Sequence, residues 1–165
     1  MKRLTLVRHA KSSRKDQLLE DIDRPLNQRG KENAPLMGKR LAKKELMPDR
    51  MLTSPARRAV KTARIIAGKI GFPKDKIEKV GAIYEASPDT LLEVLRGLGN
   101  ECNHVMMFGH NPGFTDLNNV INTVKIDNIP TCGVVCIDFD IASWSELTEG
   151  QGTLVFFDYP KNPEG

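Results

Sequence analysis

The stretch Leu4-Thr5-Leu6-Val7-Arg8-His9-Ala10 begins with a short apolar run and continues with two side chains, Arg8 and His9, that can carry chemistry. A run of this length, rich in strand formers, is typical of a buried strand. Two further runs share the pattern: Met51-Leu52-Thr53 precedes Ser54, and Val105–Phe108 precedes Gly109-His110. These runs predict three buried strands, each followed directly by polar residues.

Helical patterns separate the predicted strands. One helix is predicted from Gly30 to Leu46, and a second opens at Pro55 and ends at Gly71, residues that suit a helix start and a helix end. A third begins at Ser87-Pro88, and Asn111-Pro112 caps a fourth. The alternation of strands and helices predicts an α/β fold, a three-layer αβα sandwich with a mostly parallel central sheet and helices on both faces.

The last third of the chain changes character. Segments 133–139 and 153–159 are rich in Val, Ile and Phe and predict two more strands, which would make the sheet mixed if they pair as a hairpin. The length of 165 residues suits one domain, residues 1–165, with a substantial core.

Composition excludes several classes of protein. With 39% hydrophobic and 28% charged residues, the chain is neither disordered nor a membrane protein, and no apolar run approaches the roughly 20 residues of a membrane span. The apolar run near the N-terminus is too short for a signal peptide. Three cysteines, an odd number without a close pair, fit reduced thiols. We therefore expect a cytoplasmic protein without a membrane partner.

The charges are unevenly distributed along the chain. Residues 1–75 carry 20 basic and 8 acidic side chains, a balance of +12, whereas residues 76–165 carry 5 basic and 13 acidic ones, a balance of −8. A basic region of this kind leaves nucleic acid open as a partner. Against that hypothesis, aromatic residues for base stacking make up only 5% of the chain and no known binding motif is present, so no nucleic-acid partner is expected.

The predicted strand ends locate a candidate site. In open α/β sheets, ligands bind beyond the carboxyl ends of the strands. This rule selects Arg8-His9 after the first strand, Arg57-Arg58 in the first turn of the second helix, and His110 after the third strand. His104 precedes its strand and belongs to the opposite edge. Two histidines and paired cations beside a helix N-terminus predict a phosphate or carboxylate site.

Three motifs, in this order and at these spacings, resemble the signatures of the histidine phosphatase superfamily, which also holds the cofactor-dependent phosphoglycerate mutases. They are Arg8-His9-Ala10, the stretch SPARRAVKTA at 54–63, and Gly109-His110-Asn111. The second of them resembles the family pattern SPxxRAxxTA. Further segments resemble the compact SixA-type phosphohistidine phosphatase branch, at 8–13, 23–27, 29–30, 109–113 and 130–133. The resemblance runs nearly from end to end and implies a phosphoglycerate mutase-like fold, a single histidine phosphatase domain.

The resemblance implies a role for each of four residues. His9 would be the nucleophile, whose neutral imidazole attacks the phosphoryl group to give a phosphohistidine that water hydrolyses. Arg8 and Arg58 would bind the phosphoryl oxygens through forked donors, and His110, expected to be protonated, would donate a further hydrogen bond. The RAxxTA register selects Arg58, and Arg57 is interpreted as a surface charge. No metal ion or cofactor is implied.

Four other residues are candidates for the same site. Glu85 falls where relatives that cleave phosphate esters place the acid that protonates the leaving alkoxide, so it is a candidate proton donor. The alternative interpretation of Glu85 is an exposed loop carboxylate. Lys11 and Ser12 follow His9 and would line the mouth of the pocket. Asn111 would position the His110 loop or simply cap the following helix.

The leading functional hypothesis is a metal-independent phosphatase that acts on phosphohistidine of a protein partner, such as a histidine-containing phosphotransfer domain. A chain of 165 residues leaves little room for the insertions that cover the pocket in larger relatives, so a side chain on a folded partner could enter. The alternatives are a broad-specificity phosphatase for small phosphate esters or phosphoramidates, and a module that only binds phosphate-bearing partners. Mutase activity needs a closed site and is disfavoured. We expect a monomer.

Overall fold

The computed structural model describes all 165 residues, which form six strands and four α-helices that alternate as far as the fifth strand. The strands are β1 Lys2–Arg8, β2 Arg50–Thr53, β3 Glu78–Lys79, β4 His104–Gly109, β5 Val134–Phe139 and β6 Thr153–Asp158. The helices are α1 Gln28–Lys43, α2 Arg57–Ile70, α3 Pro88–Arg96 and α4 Gly113–Ile121.

The strands form a single mixed sheet in the order β3-β2-β4-β1-β5-β6. Strands β3, β2, β4 and β1 run parallel, whereas β5 is antiparallel to both β1 and β6. The mostly parallel sheet and the antiparallel pairing of the last two strands confirm the sequence predictions. Strand β3 was not predicted, because two residues are too short to show a periodic pattern.

Helices cover both faces of the sheet, and each face has its own apolar core. On one face, α1 and α2 contribute Met37 and Ile66 to a cluster with the strand residues Val7 and Phe108. On the other face, α3 and α4 pack on alternate residues of the same strands. The side chains of β1 show the alternation directly, since Leu4 and Leu6 enter the second core while Val7 enters the first. The three-layer αβα prediction is confirmed.

The helix boundaries follow local chemistry. The Asn27 side chain accepts a hydrogen bond from the Gly30 amide at 2.9 Å and caps α1, and Ser87 caps α3 in the same way. Helix α2 ends at Gly71, whose φ of 86° lies in the left-handed region that favours glycine. Helix α4 begins at Gly113, two residues after Asn111.

The three cysteines are free and buried, with no disulfide among them. Burial raises the pKa of the Cys132 thiol to about 12, so this cysteine is an apolar packing group at neutral pH. Among the helices, none is both long enough and apolar enough to cross a membrane.

Candidate active site

The carboxyl ends of three neighbouring strands meet at one edge of the sheet. The backbone amide of His9 donates to the Gly109 carbonyl at 3.0 Å, and the Ser54 amide donates to the Phe108 carbonyl at 3.0 Å. Strand β4 lies between β1 and β2, so the residues that follow all three strands become neighbours. This is the convergence that the strand-end rule predicts.

A pocket of about 910 Å³ opens at this edge. All eight side chains proposed from the sequence line it: Arg8, His9, Lys11, Ser12, Arg58, Glu85, His110 and Asn111. Arg57 is exposed and lies outside the pocket, in agreement with its interpretation as a surface charge. The motif register therefore selects the member of the arginine pair that lines the pocket.

The His9 ring is held with one nitrogen bonded and the other free. Its Nδ1 atom lies 2.7 Å from the Ala10 carbonyl oxygen, which can only accept, so Nδ1 carries the proton and Nε2 keeps its lone pair. Burial above all, with smaller contributions from the neighbouring His110, Arg58 and Arg8, lowers the pKa of His9 to about 3. His9 is therefore neutral at physiological pH, as a nitrogen nucleophile must be.

The His110 ring faces His9, with 5.2 Å between the ring centroids. Its Nε2 lies 2.7 Å from Ser54 Oγ, and its Nδ1 lies 3.4 Å from Arg58 Nη2, which can only donate. Burial, followed by the Arg58 charge, lowers the pKa of His110 to about 4. The expectation of a protonated His110 is therefore wrong for the structure, because the ring is desolvated and next to a cation. A phosphoryl dianion at hydrogen-bonding distance would raise this pKa.

Two arginines bring unused donors into the buried site. Arg8 Nη1 donates to the Ile129 carbonyl at 2.8 Å, and the side chain of Arg58, 6% exposed, donates from Nη2 to Asp21 Oδ2 at 2.9 Å. The Nε–H groups of both arginines are buried and have no hydrogen-bond partner. Such a group is costly unless an acceptor satisfies it, and phosphoryl oxygens are suitable acceptors.

A network around Asp21 was missed by the sequence analysis. The Asp21 carboxylate accepts hydrogen bonds from Tyr84 Oη at 2.6 Å, from Arg24 Nε at 3.0 Å and from Arg58. These bonds, that of Tyr84 above all, hold the pKa of Asp21 well below its usual range. Asp21 therefore fixes the orientation of Arg58 from the far side of the pocket. The only signal in the sequence was the resemblance of segment 23–27, which includes Arg24 but neither Asp21 nor Tyr84.

The loop after β1 is fastened to two helices. Thr62 Oγ1 accepts from the Ala10 amide at 3.0 Å and donates to the Arg58 carbonyl at 2.8 Å, so one hydroxyl joins the His9 loop to α2. Gly30 lies against the same loop, where an added Cβ would be 2.2 Å from the Lys11 carbonyl oxygen. Only glycine allows this approach of α1 to the pocket loop.

Glu85 and Asn111 occupy the rim of the pocket. Glu85 is exposed and has a φ of 53°, an unusual backbone conformation for a residue other than glycine. The Asn111 side chain accepts from the Thr115 amide at 3.2 Å and donates to the Ile129 carbonyl at 3.0 Å. Asn111 thus ties the first turn of α4 to the residue that also receives Arg8. Both functions considered for Asn111, capping and loop positioning, are present.

The structure contains no group of three or more His, Cys, Asp or Glu side chains that could hold a metal ion. Side chains bring positive charge into the pocket, chiefly Arg8, Arg24 and Arg58, with Lys11 at the mouth. Guanidinium groups provide paired donors that match the oxygens of a phosphoryl group.

Comparison with known proteins decides the family. Residues 4–85, which include His9 and Arg58, match the family model described as the histidine phosphatase superfamily, branch 1. The chain belongs to the histidine phosphatase superfamily. Membership supports a phosphatase activity, a hydrolase reaction, and it confirms the resemblance seen in the motifs.

Solved structures share the fold of this chain along nearly its whole length. SixA from Agrobacterium tumefaciens is 24% identical, covers 96% of this chain and 98% of its own, and superposes with a TM-score of 0.79. The protein histidine phosphatase SixA in complex with tungstate is 20% identical, with coverages of 96% and 97% and a TM-score of 0.81. These likenesses show that the fold is the phosphoglycerate mutase-like fold of the SixA structures.

A sequence relative comes from Mycobacterium tuberculosis. This uncharacterized protein is 28% identical over 165 residues, which cover 94% of the present chain and 100% of the relative. An uncharacterized chloroplastic protein of Arabidopsis thaliana is 27% identical over 153 residues, 88% of this chain and 70% of its own.

Proposed function

We propose that this protein is a metal-independent phosphatase that removes phosphoryl groups from phosphohistidine on a protein partner, such as a histidine-containing phosphotransfer domain. The single observation that carries the proposal is the state of His9. Its Nδ1 is bonded to the Ala10 carbonyl, its pKa is about 3, and Arg8, Arg58 and His110 surround it. A bare, neutral imidazole nitrogen among oxyanion donors is suited to accept a phosphoryl group.

The proposed reaction has two displacements. In the first, His9 Nε2 forms a bond to phosphorus while the bond from phosphorus to the substrate imidazole breaks, and that imidazole leaves with its bonding electron pair. In the second, a water oxygen attacks the phosphorus of phospho-His9, the Nε2–phosphorus bond breaks, and inorganic phosphate departs. Arg8 and Arg58 hold the equatorial oxygens throughout, so catalysis rests mainly on positioning and charge.

The leaving group favours phosphohistidine over a phosphate ester. An alkoxide is strongly basic and needs a proton as it departs, whereas an imidazole already protonated on its other nitrogen leaves neutral. In this pocket the candidate acid, Glu85, is exposed at the rim, and Asp21 is held ionised by Tyr84 and arginine. A pocket whose candidate proton donor lies exposed at the rim is better suited to phosphohistidine, because the imidazole leaving group needs no added proton.

The mouth of the pocket suits a macromolecular substrate. Exposed side chains form much of its rim, including Lys11, Arg14, Lys15 and Glu85. A histidine side chain on a folded protein could reach His9 through this opening. The structural likeness to SixA bound to tungstate, a tetrahedral oxyanion shaped like phosphate, supports an oxyanion site in this fold.

A direct comparison of substrates tests the proposal. We expect the parent protein to hydrolyse a phosphotransfer domain that carries phosphohistidine at least about 100-fold faster than a phosphoserine protein, because the basic alkoxide of the ester is the poorer leaving group even with the help of Glu85. Release of inorganic phosphate from both proteins measures the ratio. Equal rates, or faster release from phosphoserine, would favour a broad-specificity ester phosphatase instead.

Substitution of Glu85 by glutamine separates the two leaving groups. We expect Glu85→Gln to slow hydrolysis of a small alkyl phosphate by about tenfold or more, and to change phosphohistidine hydrolysis by less than about twofold. The matched control is Asp89→Asn, the loss of an exposed carboxylate in the first turn of α3 outside the pocket. If Glu85→Gln slows both substrates equally, the leaving-group argument is wrong.

We further propose that the protein works in the cytoplasm. Its three cysteines are all free and buried, a state that suits a reducing compartment. The phosphotransfer proteins proposed as partners would have to be present in the same compartment.

A further inference from the structure

A second groove, of about 520 Å³, lies beside the catalytic pocket. Five cationic side chains line it, against the single carboxylate of Asp23: Lys31, Arg57, Lys61, Arg64 and Lys79. We call these five residues and the space between them the basic groove. All five are exposed, and no residue of the groove is aromatic.

None of the five cations of the basic groove forms an ion pair within the protein. The ion pairs of the structure involve Arg3, Arg24, Arg40, Arg50 and Arg58, and none involves a cation of the groove. Like charges close together repel one another and focus a positive potential in the cleft between them. An acidic surface placed there would offset the repulsion among the cations, so the groove is suited to bind a negatively charged surface.

The basic groove and the catalytic pocket share one wall. In segment 21–26, Asp21 and Arg24 line the catalytic pocket, whereas Asp23, Pro25 and Leu26 line the basic groove. On α2, the buried Arg58 faces the catalytic pocket, and the adjacent Arg57 faces the groove. A molecule that filled the groove would therefore contact the elements that hold the phosphoryl site.

The spacing of the cations fits an extended protein surface. Arg57, Lys61 and Arg64 follow one another at i, i+4 and i+7 along α2, so they form one stripe about 10 Å long on the exposed face of the helix. Lys31 of α1 and Lys79 of β3 flank this stripe. Without an aromatic platform, the groove lacks the stacking contacts typical of single-stranded nucleic-acid sites.

We propose that the basic groove docks an acidic patch that lies beside the phosphohistidine on the protein substrate. This inference rests on the proposed function and deepens it, because it names the surface that recognises the partner. Docking in the groove would bring the phosphorylated side chain to the mouth of the neighbouring pocket. Small phosphate esters would not use the groove, so it would distinguish protein substrates from small ones.

Reversal of two charges tests the inference. The test variant is Lys61→Glu/Arg64→Glu, and the control is Lys74→Glu/Lys76→Glu, which makes the same charge change on exposed residues beyond the C-terminal end of α2. The substrates are a small aryl phosphate and a phosphohistidine-bearing phosphotransfer domain with an acidic patch beside its histidine. A third substrate is the same domain with the patch neutralised by Asp→Asn and Glu→Gln changes.

We expect the test variant to lower kcat/KM for the acidic phosphoprotein by about tenfold at low salt, through KM, and the control to change it by less than about twofold. Neutralising the patch should abolish the difference between the variants, and about 0.5 M salt should reduce it strongly. The kcat/KM for the aryl phosphate should stay within about twofold in both variants. Equal effects of the test and control variants, or an equal loss on the aryl phosphate, would overturn the inference.

Two further outcomes are distinguishable. If the parent hydrolyses the aryl phosphate but no phosphoprotein, both the proposed function and the docking inference fail. If phosphoprotein hydrolysis is normal in the test variant while a DNA duplex binds the parent and not the variant, the groove is a nucleic-acid surface and the inference is overturned. Hydrolysis of phosphoprotein with no difference between the variants would leave the proposed function standing and remove the docking role.

Discussion

Replacement of His9 by alanine is expected to lower hydrolysis of both a small aryl phosphate and a phosphohistidine protein by at least about 10⁴-fold, the scale on which loss of a nucleophile acts. The variant keeps Arg8, Arg58 and His110, so it should still bind oxyanions. What it loses is the nitrogen that accepts the phosphoryl group, and binding alone cannot replace a covalent step. The loss should therefore appear in kcat with little change in the affinity for inorganic phosphate.

A second substitution at His9 distinguishes loss of the nucleophile from a disturbance of the folded site. His9 is only 8% exposed, and its one side-chain hydrogen bond runs to the Ala10 carbonyl. His9→Asn retains an N–H group that can make this bond but has no nucleophilic nitrogen, so it should be as inactive as His9→Ala. The matched control is His104→Gln, at the opposite edge of the sheet, which should keep the parent activity.

Rapid quenching in alkali measures the intermediate directly. With labelled substrate, the parent should show a protein-bound phosphoryl group that is stable to base and labile to acid, and neither His9 variant should show it. A His9→Asn protein with parent activity, or a label found on His110 in the parent, would refute the assignment of the nucleophile.

The place of the site was predictable because it depends on topology. Short apolar runs ending in Arg8-His9 and Gly109-His110 are visible in the sequence, and parallel strands must bring their carboxyl ends to one edge. The backbone bond from His9 to Gly109 is the physical result of that rule. Arg58 was selected by motif register, and its burial agrees with the selection.

The parts that were not predictable depend on distant contacts. Asp21 reaches Arg58 across 37 positions of sequence and Tyr84 across 63, and no periodic pattern encodes such pairs. The charge of His110 was predicted wrongly for a related reason. Its pKa depends on burial and on the nearby Arg58, which are properties of the packed site rather than of the motif. A protonation state that depends on neighbouring side chains in the folded protein cannot be predicted from a short motif.

Acidification from pH 7 to pH 5 is expected to lower the free energy of unfolding by about 6 kcal/mol, a large part of the stability of a typical domain. Burial lowers the pKa of His9 to about 3, and those of His104 and His110 to about 4, from an ordinary value near 6.5. At a pH between the folded-state and unfolded-state pKa values, these histidines are protonated in the unfolded chain and neutral in the folded protein. Stability is therefore full above about pH 6.5 and falls as the pH drops towards 4, by about 2 kcal/mol per histidine at pH 5.

Urea unfolding at several pH values measures this slope, and His104→Gln tests its origin. His104 lies outside the active site, where its Nε2 bonds with Thr5 Oγ1 at 2.8 Å, and glutamine can keep that bond. The variant should lose about a third of the fall between pH 7 and pH 5, since one of three titrating groups is gone. The carboxylates with lowered pKa values, Asp21 and Glu78, contribute mainly below about pH 4.5 and do not affect this window.

A stability that does not change between pH 7 and pH 5 would mean that the histidines titrate normally in the folded protein. His9 would then lack the permanently neutral ring that its proposed role requires, so this measurement tests the origin of its nucleophilicity as well as the stability of the fold.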